Sequence, residues 1–286
     1  MISPIQSQDA TLVPPLRDGD RLTMQEFERR WDAMPNLKRA ELIDGEGRDI
    51  MIAPTSSTLT NRIPPLANGD HLTADEFCRR WNAMPELKHA ELLGGRVYMN
   101  PPISAESHSL PHGRIVVWLW HYAIATDGTQ FFDETSAHFG PGDLPQPDAV
   151  LRIKESHGGN SRLIRGDLHG APELIVEVSS SSERRDLGIK KQRYAANGVQ
   201  EYLIWLVAKR KFVWFSLQEG EYVELEQLRS GIVKSRVFPG LWLDTKGMLA
   251  DNWPKILATL RNGMESPESV EFAKRLKSQG RKKRKS

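Results

Sequence analysis

Apolar positions follow two rhythms along this chain. Between residues 110 and 126 they share one broad face (Ile115, Val116, Leu119, Trp120, Ala123), which predicts an amphipathic helix. Elsewhere they crowd into short runs. "QFFDETSAHFG", "PDAVLRI" and "ELIVEVS" read as strands, the last of them buried. "EYLIWLV" and "KFVWFSL" read as a hairpin turning over Lys209-Arg210, with "GEYVELEQL" as a further strand. Between the buried strand and the hairpin, residues 183–197 read as a helix closed by Asn197-Gly198. Helices around such a set of strands predict an α/β (α+β) fold with a mixed sheet.

Near the start, one pattern occurs twice. Residues 13–45 match residues 63–95 at 21 of 33 positions, offset by 50. Each copy predicts a helix with a capping box, Thr23 with Glu26 and Thr73 with Glu76. Leu22 with Phe27, and Leu72 with Phe77, fit a hydrophobic staple around the caps. Both helices must stop near Met34-Pro35 and Met84-Pro85, and Trp31 and Trp81 read as core anchors. Only the second copy runs straight on, through "AELLGGRVYMNPP", into the rest of the chain. The first leads into "APTSSTLTN", a polar stretch that reads as a linker. Residues 1–60 are therefore expected to be an appendage, 61–250 the working domain and 251–286 a C-terminal helix with a basic tail. A swapped homodimer built on the first copy is the competing expectation.

Composition restricts the setting. The chain is 39% apolar and 27% charged, as soluble globular proteins are. Residues 1–24 carry no apolar leader, and the strongest apolar run, "IVVWLWHYAIA", is too short to span a bilayer. A single cysteine, Cys78, fits a reducing cytoplasm. It aligns with Glu28 of the first copy and is assigned no role. Charge is uneven: the run 274–286 holds eight Lys or Arg and no acid, so the remainder of the +2 chain is net −6. This tail is either a solubilising appendage or a grip for nucleic acid.

Against this background Glu177 stands out. It interrupts the apolar run Leu174–Val178, where an unpaired carboxylate costs several kcal/mol or is driven neutral. Asp148 begins the preceding long strand pattern. If those strands are neighbours, two carboxylates meet and need a cation. Oxygen ligands without cysteine suit Mg²⁺ or Mn²⁺ rather than Zn²⁺. On the following helix Asp186, Lys190 and Tyr194 recur every four residues and share a face, so Lys190 is the natural third member. His108 and His112 have zinc-like spacing, but Pro111 between them argues against a helix there.

Five blocks carry a resemblance: "ELLGGRVYMNPP", "SAESHSLPHGRIV", "PQPDAVL", "APELIVEVSSSSERRDLGIKKQRYAANGVQEYLIWLV" and "VFPGLWLD". Over roughly 71–250 the chain resembles the Uma-two family of restriction-type endonucleases in the PD-(D/E)xK nuclease superfamily. The resemblance implies a restriction-endonuclease-like core, a central mixed sheet flanked by helices, and Mg²⁺-dependent endonuclease hydrolysis of DNA. It also implies site residues. Asp148 and Glu177 match metal ligands, and Lys190 matches a lysine displaced onto the following helix. Glu91 matches an acid that completes the metal site, and His108 matches a histidine after the first hairpin. Ser-Ser stands after Glu177 where the family often has Ser-Pro. The alternative is a non-catalytic nucleic-acid-binding or protein-interaction module on the same fold.

Overall fold

The computed structural model describes residues 13–14, 22–33, 41–43, 46–48, 63–99 and 104–283. The chain divides into two units, Met1–Pro64 with Met84–Lys88, and Pro65–Ala83 with His89–Ser286. The first holds helix α1 (Met24–Asp32) and a hairpin of β1 (Glu41–Ile43) and β2 (Glu46–Arg48). Thr23 Oγ1 accepts the Glu26 N–H at 3.3 Å, and the Glu26 carboxylate turns to Arg29 and Arg30. The expected helix stop at Met34-Pro35, the side chain of Trp31 and the polar linker all lie outside the described residues.

The second unit opens with the same device. Thr73 caps α2 (Ala74–Asn82) through Glu76 N–H at 3.3 Å, and Glu76 pairs with Arg79 and Arg80. Half of the expected capping box is thus formed by Thr73, while the glutamate serves its own helix. Phe77 is fully buried, and the half-buried Trp81 packs edge-on against it at 5.2 Å. Then come the hairpin β3 (Ala90–Leu93) and β4 (Arg96–Met99), turning on Gly94 and Gly95 at φ +59 and +77. A π-type turn (Ala105–Ser109) runs into α3 (Leu110–Ala125). Pro111 does not prevent a helix here, contrary to the expectation from its position between the histidines. It sits in the first turn of α3, where its missing N–H would have had no partner, so His112 is helical.

The strands follow: β5 (Thr129–Asp133), β6 (Ala137–His138), β7 (Ala149–Ile153), β8 (Arg162–Ile164), β9 (Asp167–His169) and β10 (Leu174–Ser179). After β10 one continuous helical segment covers 183–196: α4 (Glu183–Arg185), a second π-type turn (Asp186–Lys190) and α5 (Lys191–Ala196). Asn197 caps it and Gly198 follows at φ +84, the conformation expected of a glycine C-cap. Next are β11 (Glu201–Leu206), β12 (Lys211–Gln218), β13 (Glu221–Glu224), β14 (Ile232–Lys234) and β15 (Trp242–Asp244). Three helices close the chain, α6 (Thr245–Leu249), α7 (Trp253–Met264) and α8 (Pro267–Lys283).

Six strands form the central sheet, in the order β13-β12-β11-β10-β7-β5. Only β10 and β11 run parallel, joined by the 183–196 crossover, and the other pairs are antiparallel. The fold is therefore α+β, a mixed sheet flanked by helices. All six residues of both β10 and β11 are buried, as expected where a parallel pair is covered on both faces. Alternation along β10 sends Leu174, Val176 and Val178 to a large core shared with α3, α7 and α8. Phe272 and Leu276 of α8 lie in that core, so the basic C-terminal run starts on a packed helix. Ile175 and Glu177 face the other way, toward Tyr194 and the 183–196 segment. Among the described residues no helix is long and apolar enough to cross a membrane.

Candidate active site

Five side chains singled out from the sequence converge at one end of the β7–β10 pair. Register places Val176 opposite Ala149, so Asp148, just before β7, meets the chain around Glu177. Its Oδ2 accepts the Val178 N–H at 2.6 Å. Lys190 comes up from the helical segment on that face. Its Nζ lies 2.9 Å from Glu177 Oε1 and 2.8 Å from Glu91 Oε1. Glu177 Oε1 also accepts the Tyr194 hydroxyl at 2.8 Å, and Glu91 Oε1 accepts the Gln146 N–H at 3.0 Å. Asp186, Lys190 and Tyr194 share the face their spacing predicts, and all three are buried.

His108 and Lys190 both belong to π-type turns, a helix distortion frequent at functional sites. His108 Nδ1 lies 3.0 Å from the Val178 carbonyl, so that nitrogen carries the proton and Nε2 faces Asp148 Oδ1 at 3.6 Å. His112, the other histidine of the zinc-like spacing, points elsewhere. Its Nε2 donates to the Asp148 carbonyl at 3.0 Å and lies 3.0 Å from Asp133 Oδ1. The two rings are neighbours at 5.7 Å, and each holds backbone next to an acid.

Asp148, Glu177, Lys190 and His108 line one cleft of about 370 Å³, together with Ser182 and Arg185. Glu91 is not among its walls. It is fully buried behind Lys190, and its Oε2 has no hydrogen-bond partner, with Arg185 Nε 3.8 Å away. Burial pushes the Glu177 carboxyl well above the usual range. Lys190 opposes this, and the neighbouring Asp148, Asp186 and Glu91 add to it. Asp148 is raised as well, by burial first, against Lys190 and His108. Burial works against the Lys190 ammonium, but Glu177 and Glu91 outweigh it and hold its pKa above the ordinary value. Four carboxylates, those of Asp148, Glu177, Asp186 and Glu91, thus surround one ammonium and a half-buried guanidinium, and two of their buried oxygens, Glu91 Oε2 and Asp186 Oδ1, lack hydrogen-bond partners. Asp148 and Glu177, the two of these acids that line the cleft, offer hard oxygen ligands amid unbalanced negative charge, which fits a divalent cation.

The sequence did not single out Gln146, Arg185 or Ser182, and Tyr194 entered only as a face-sharing residue. Ser182 Oγ donates to Asp186 Oδ2 at 2.5 Å, which ties the serine loop to the helix. A polar residue repeated four apart on a buried helix face is the signal that marks Tyr194 as well as Lys190.

No curated protein matches the chain. Among solved structures it is similar to a protein from Anabaena variabilis ATCC 29413 described as "a putative nuclease belonging to DUF820". The two are 17% identical, with a TM-score of 0.48, over 63% of this chain and 98% of that one. The model of the Uma2 family, described as "Putative restriction endonuclease", matches residues 74–246, a span that contains all five candidate residues. The chain belongs to the Uma2 family.

Proposed function

We propose that the chain is a divalent-metal-dependent endonuclease that hydrolyses DNA phosphodiester bonds in the Asp148–Glu177 cleft. The observation that carries this reading is the buried Lys190 ammonium, clamped between Glu177 and Glu91 with Asp148 on the same cleft. Asp148 and Glu177 would hold Mg²⁺ or Mn²⁺, which supplies charge neutralisation at the phosphate and a more acidic water. Lys190 stays protonated at neutral pH, because its raised pKa rules it out as a general base. It acts instead as a fixed positive charge toward the transferring phosphoryl group. Glu91 is a positioning residue. Buried away from the cleft, it holds Lys190 in place rather than binding metal itself. His108 positions Asp148 and fixes the Val178 carbonyl beside it.

The test is cleavage of supercoiled plasmid DNA with Mg²⁺ or Mn²⁺. The wild type is expected to nick or linearise the plasmid, and neither EDTA-treated protein nor Asp148→Ala is. Equal cleavage by Asp148→Ala overturns the reading, and DNA binding without metal-dependent cleavage by the wild type favours a non-catalytic binding module. The basic run 274–286 is proposed to grip phosphate. Deleting it would also remove Leu276 from the core, so the cleaner variant changes Lys282, Lys283, Arg284 and Lys285 to Gln. Its salt dependence of DNA binding is expected to flatten by roughly 0.9 in log–log slope for each phosphate no longer neutralised. An unchanged slope leaves the run a solubilising appendage.

A further inference from the structure

A second cluster of ligand-type side chains lies outside the acidic cleft. Strand β6 pairs in parallel with β9, so that Ala137 is level with Leu168 and His138 with His169. Ala137 and Leu168 are fully buried, so by alternation both histidines emerge on the opposite face. Asp167 is two residues from His169 and shares that face. The two imidazoles stack nearly parallel, 4.5 Å between centroids and 10° between planes. One ligand atom from each of His138, Asp167 and His169 lies within 4.8 Å of the other two. Among the described residues no other group of three His, Cys, Asp or Glu meets that condition.

We propose that His138, His169 and Asp167 form a binding site for a borderline divalent transition-metal cation of the Zn²⁺ class, distinct from the Mg²⁺-type site of the acidic cleft. The donor set carries this assignment. Two imidazoles and one carboxylate suit Zn²⁺, Co²⁺ or Ni²⁺, whereas Mg²⁺ prefers oxygen alone. Nitrogen ligands about 2.1 Å from a tetrahedral ion sit roughly 3.4 Å apart, and the in-plane lone pairs of parallel rings do not converge, so binding one ion requires at least one imidazole to rotate out of the stack and the carboxylate to turn inward. Both histidines also line an open cleft of about 620 Å³ with Asp75, Glu155, Asn160 and Arg162. That cleft leaves a fourth coordination position free for water or an anionic ligand, as three-ligand zinc sites do. It shares no lining residue with the acidic cleft.

The experiment is titration of the metal-free full chain with Zn²⁺ by calorimetry and with Co²⁺ by visible absorption. Wild type and Glu177→Gln are both expected to bind one equivalent, with intense Co²⁺ d–d bands that mark a site of low coordination number. The double variant H138Q/H169Q is expected to lose that equivalent and its bands. Should the double variant fail to fold, Asp167→Asn changes only an exposed side chain, and it is expected to weaken binding at least about 10-fold. The proposal is overturned if the wild type takes up no Zn²⁺ at 100-fold excess. It is equally overturned if Glu177→Gln abolishes the bound equivalent, or if Asp167→Asn and every folded histidine variant bind as the wild type does.

Discussion

Two neighbouring strands each bury a glutamate, and the two are held in opposite ways. Glu201 opens β11. Its carboxylate accepts Ser235 Oγ–H at 2.7 Å and the N–H groups of Arg236 and Val237 at 2.6 and 3.2 Å. Glu173, just before β10, is treated alike, taking the N–H groups of Ile153 and Asn160 at 2.7 and 2.9 Å. Both are carboxylates that tie loops to the sheet through neutral donors. Glu177 sits in mid-strand and is met by an ammonium, a phenol and other acids, at the wall of a cleft. Burial alone does not separate them, since all three are nearly inaccessible. What separates them is whether their partners are neutral loop donors or a charged, incompletely balanced cluster. The second kind of surrounding is the one that invites a metal or substrate.

The two glutamates are expected to differ most in catalysis. Glu177→Gln is expected to lower plasmid cleavage on the order of a thousandfold, the scale of losing one charge-stabilising group. Glu201→Gln is expected to leave the rate per folded molecule unchanged. Measured turnover on one plasmid preparation decides it, and equal losses in both variants would erase the distinction.

The next largest effect is on pH-dependent stability. Burial pushes the Glu201 carboxyl up to about 7 from an ordinary 4.5, partly opposed by its Ser235 and backbone donors. A raised carboxyl pKa favours the folded state while the group is protonated. The contribution is therefore complete below about pH 4.5 and falls as pH rises toward 7, by a limit of about 3 kcal/mol. Urea denaturation of Glu201→Gln between pH 4.5 and 7.5 is expected to show a flatter profile than the wild type. A parallel profile would mean that Glu201 is ionised throughout.

Metal addition sharpens the contrast with a comparable magnitude. At a free concentration 100 times Kd, Mg²⁺ or Mn²⁺ is expected to stabilise the wild type and Glu201→Gln by about 2.7 kcal/mol, read as a rise in Tm. Glu177→Ala is expected to show little rise, because the acids that repel one another are then fewer and the ion loses a ligand. Equal shifts in Glu177→Ala would send the ion to another site.

The sequence made Glu177 legible for the same reason that it hid Glu201 and Glu173. A carboxylate inside "LIVEV" violates the strand pattern, whereas one at the start of "EYLIWL" or before "LIVEV" looks like an ordinary solvated strand end. The donors that bury those two come from Ile153, Asn160 and the 235–237 loop, and no local pattern announces such pairings. The β10 strand, the crossover helix and the β11–β12 hairpin were readable from apolar runs and the Asn197-Gly198 cap. The sheet order was not, because the register of strands far apart in sequence, β5 against β7 and β7 against β10, depends on packing. Pro111 misled in the same way: its effect depends on the turn of the helix it occupies. The His138, Asp167 and His169 cluster is spread over strands of two and three residues, too short to leave a periodicity.

The smallest effect separates the two glutamates through a single donor each. Tyr194→Phe removes the hydroxyl that reaches Glu177 Oε1 and leaves Lys190 on the same oxygen. Ser235→Ala removes the hydroxyl that reaches Glu201 Oε2 and also the acceptor of the Phe238 N–H at 2.8 Å. Each loses a hydrogen bond to a buried acid, so each is expected to cost roughly 1–3 kcal/mol in urea denaturation. Their metal responses should differ. With Tyr194 and Lys190 both on Oε1, the carboxylate is held in one orientation, and loss of the phenol frees it to turn. Tyr194→Phe is therefore expected to weaken Mn²⁺ binding by about tenfold, the lower end for outer-shell partners of metal ligands. Ser235→Ala should bind Mn²⁺ as the wild type does, because its acid lies on the next strand and lines neither of the two clefts. Calorimetric Mn²⁺ titration of both variants checks this. Unchanged affinity in Tyr194→Phe would show that Lys190 alone orients Glu177, and weakening in Ser235→Ala would show that the two glutamates are coupled through the parallel pair.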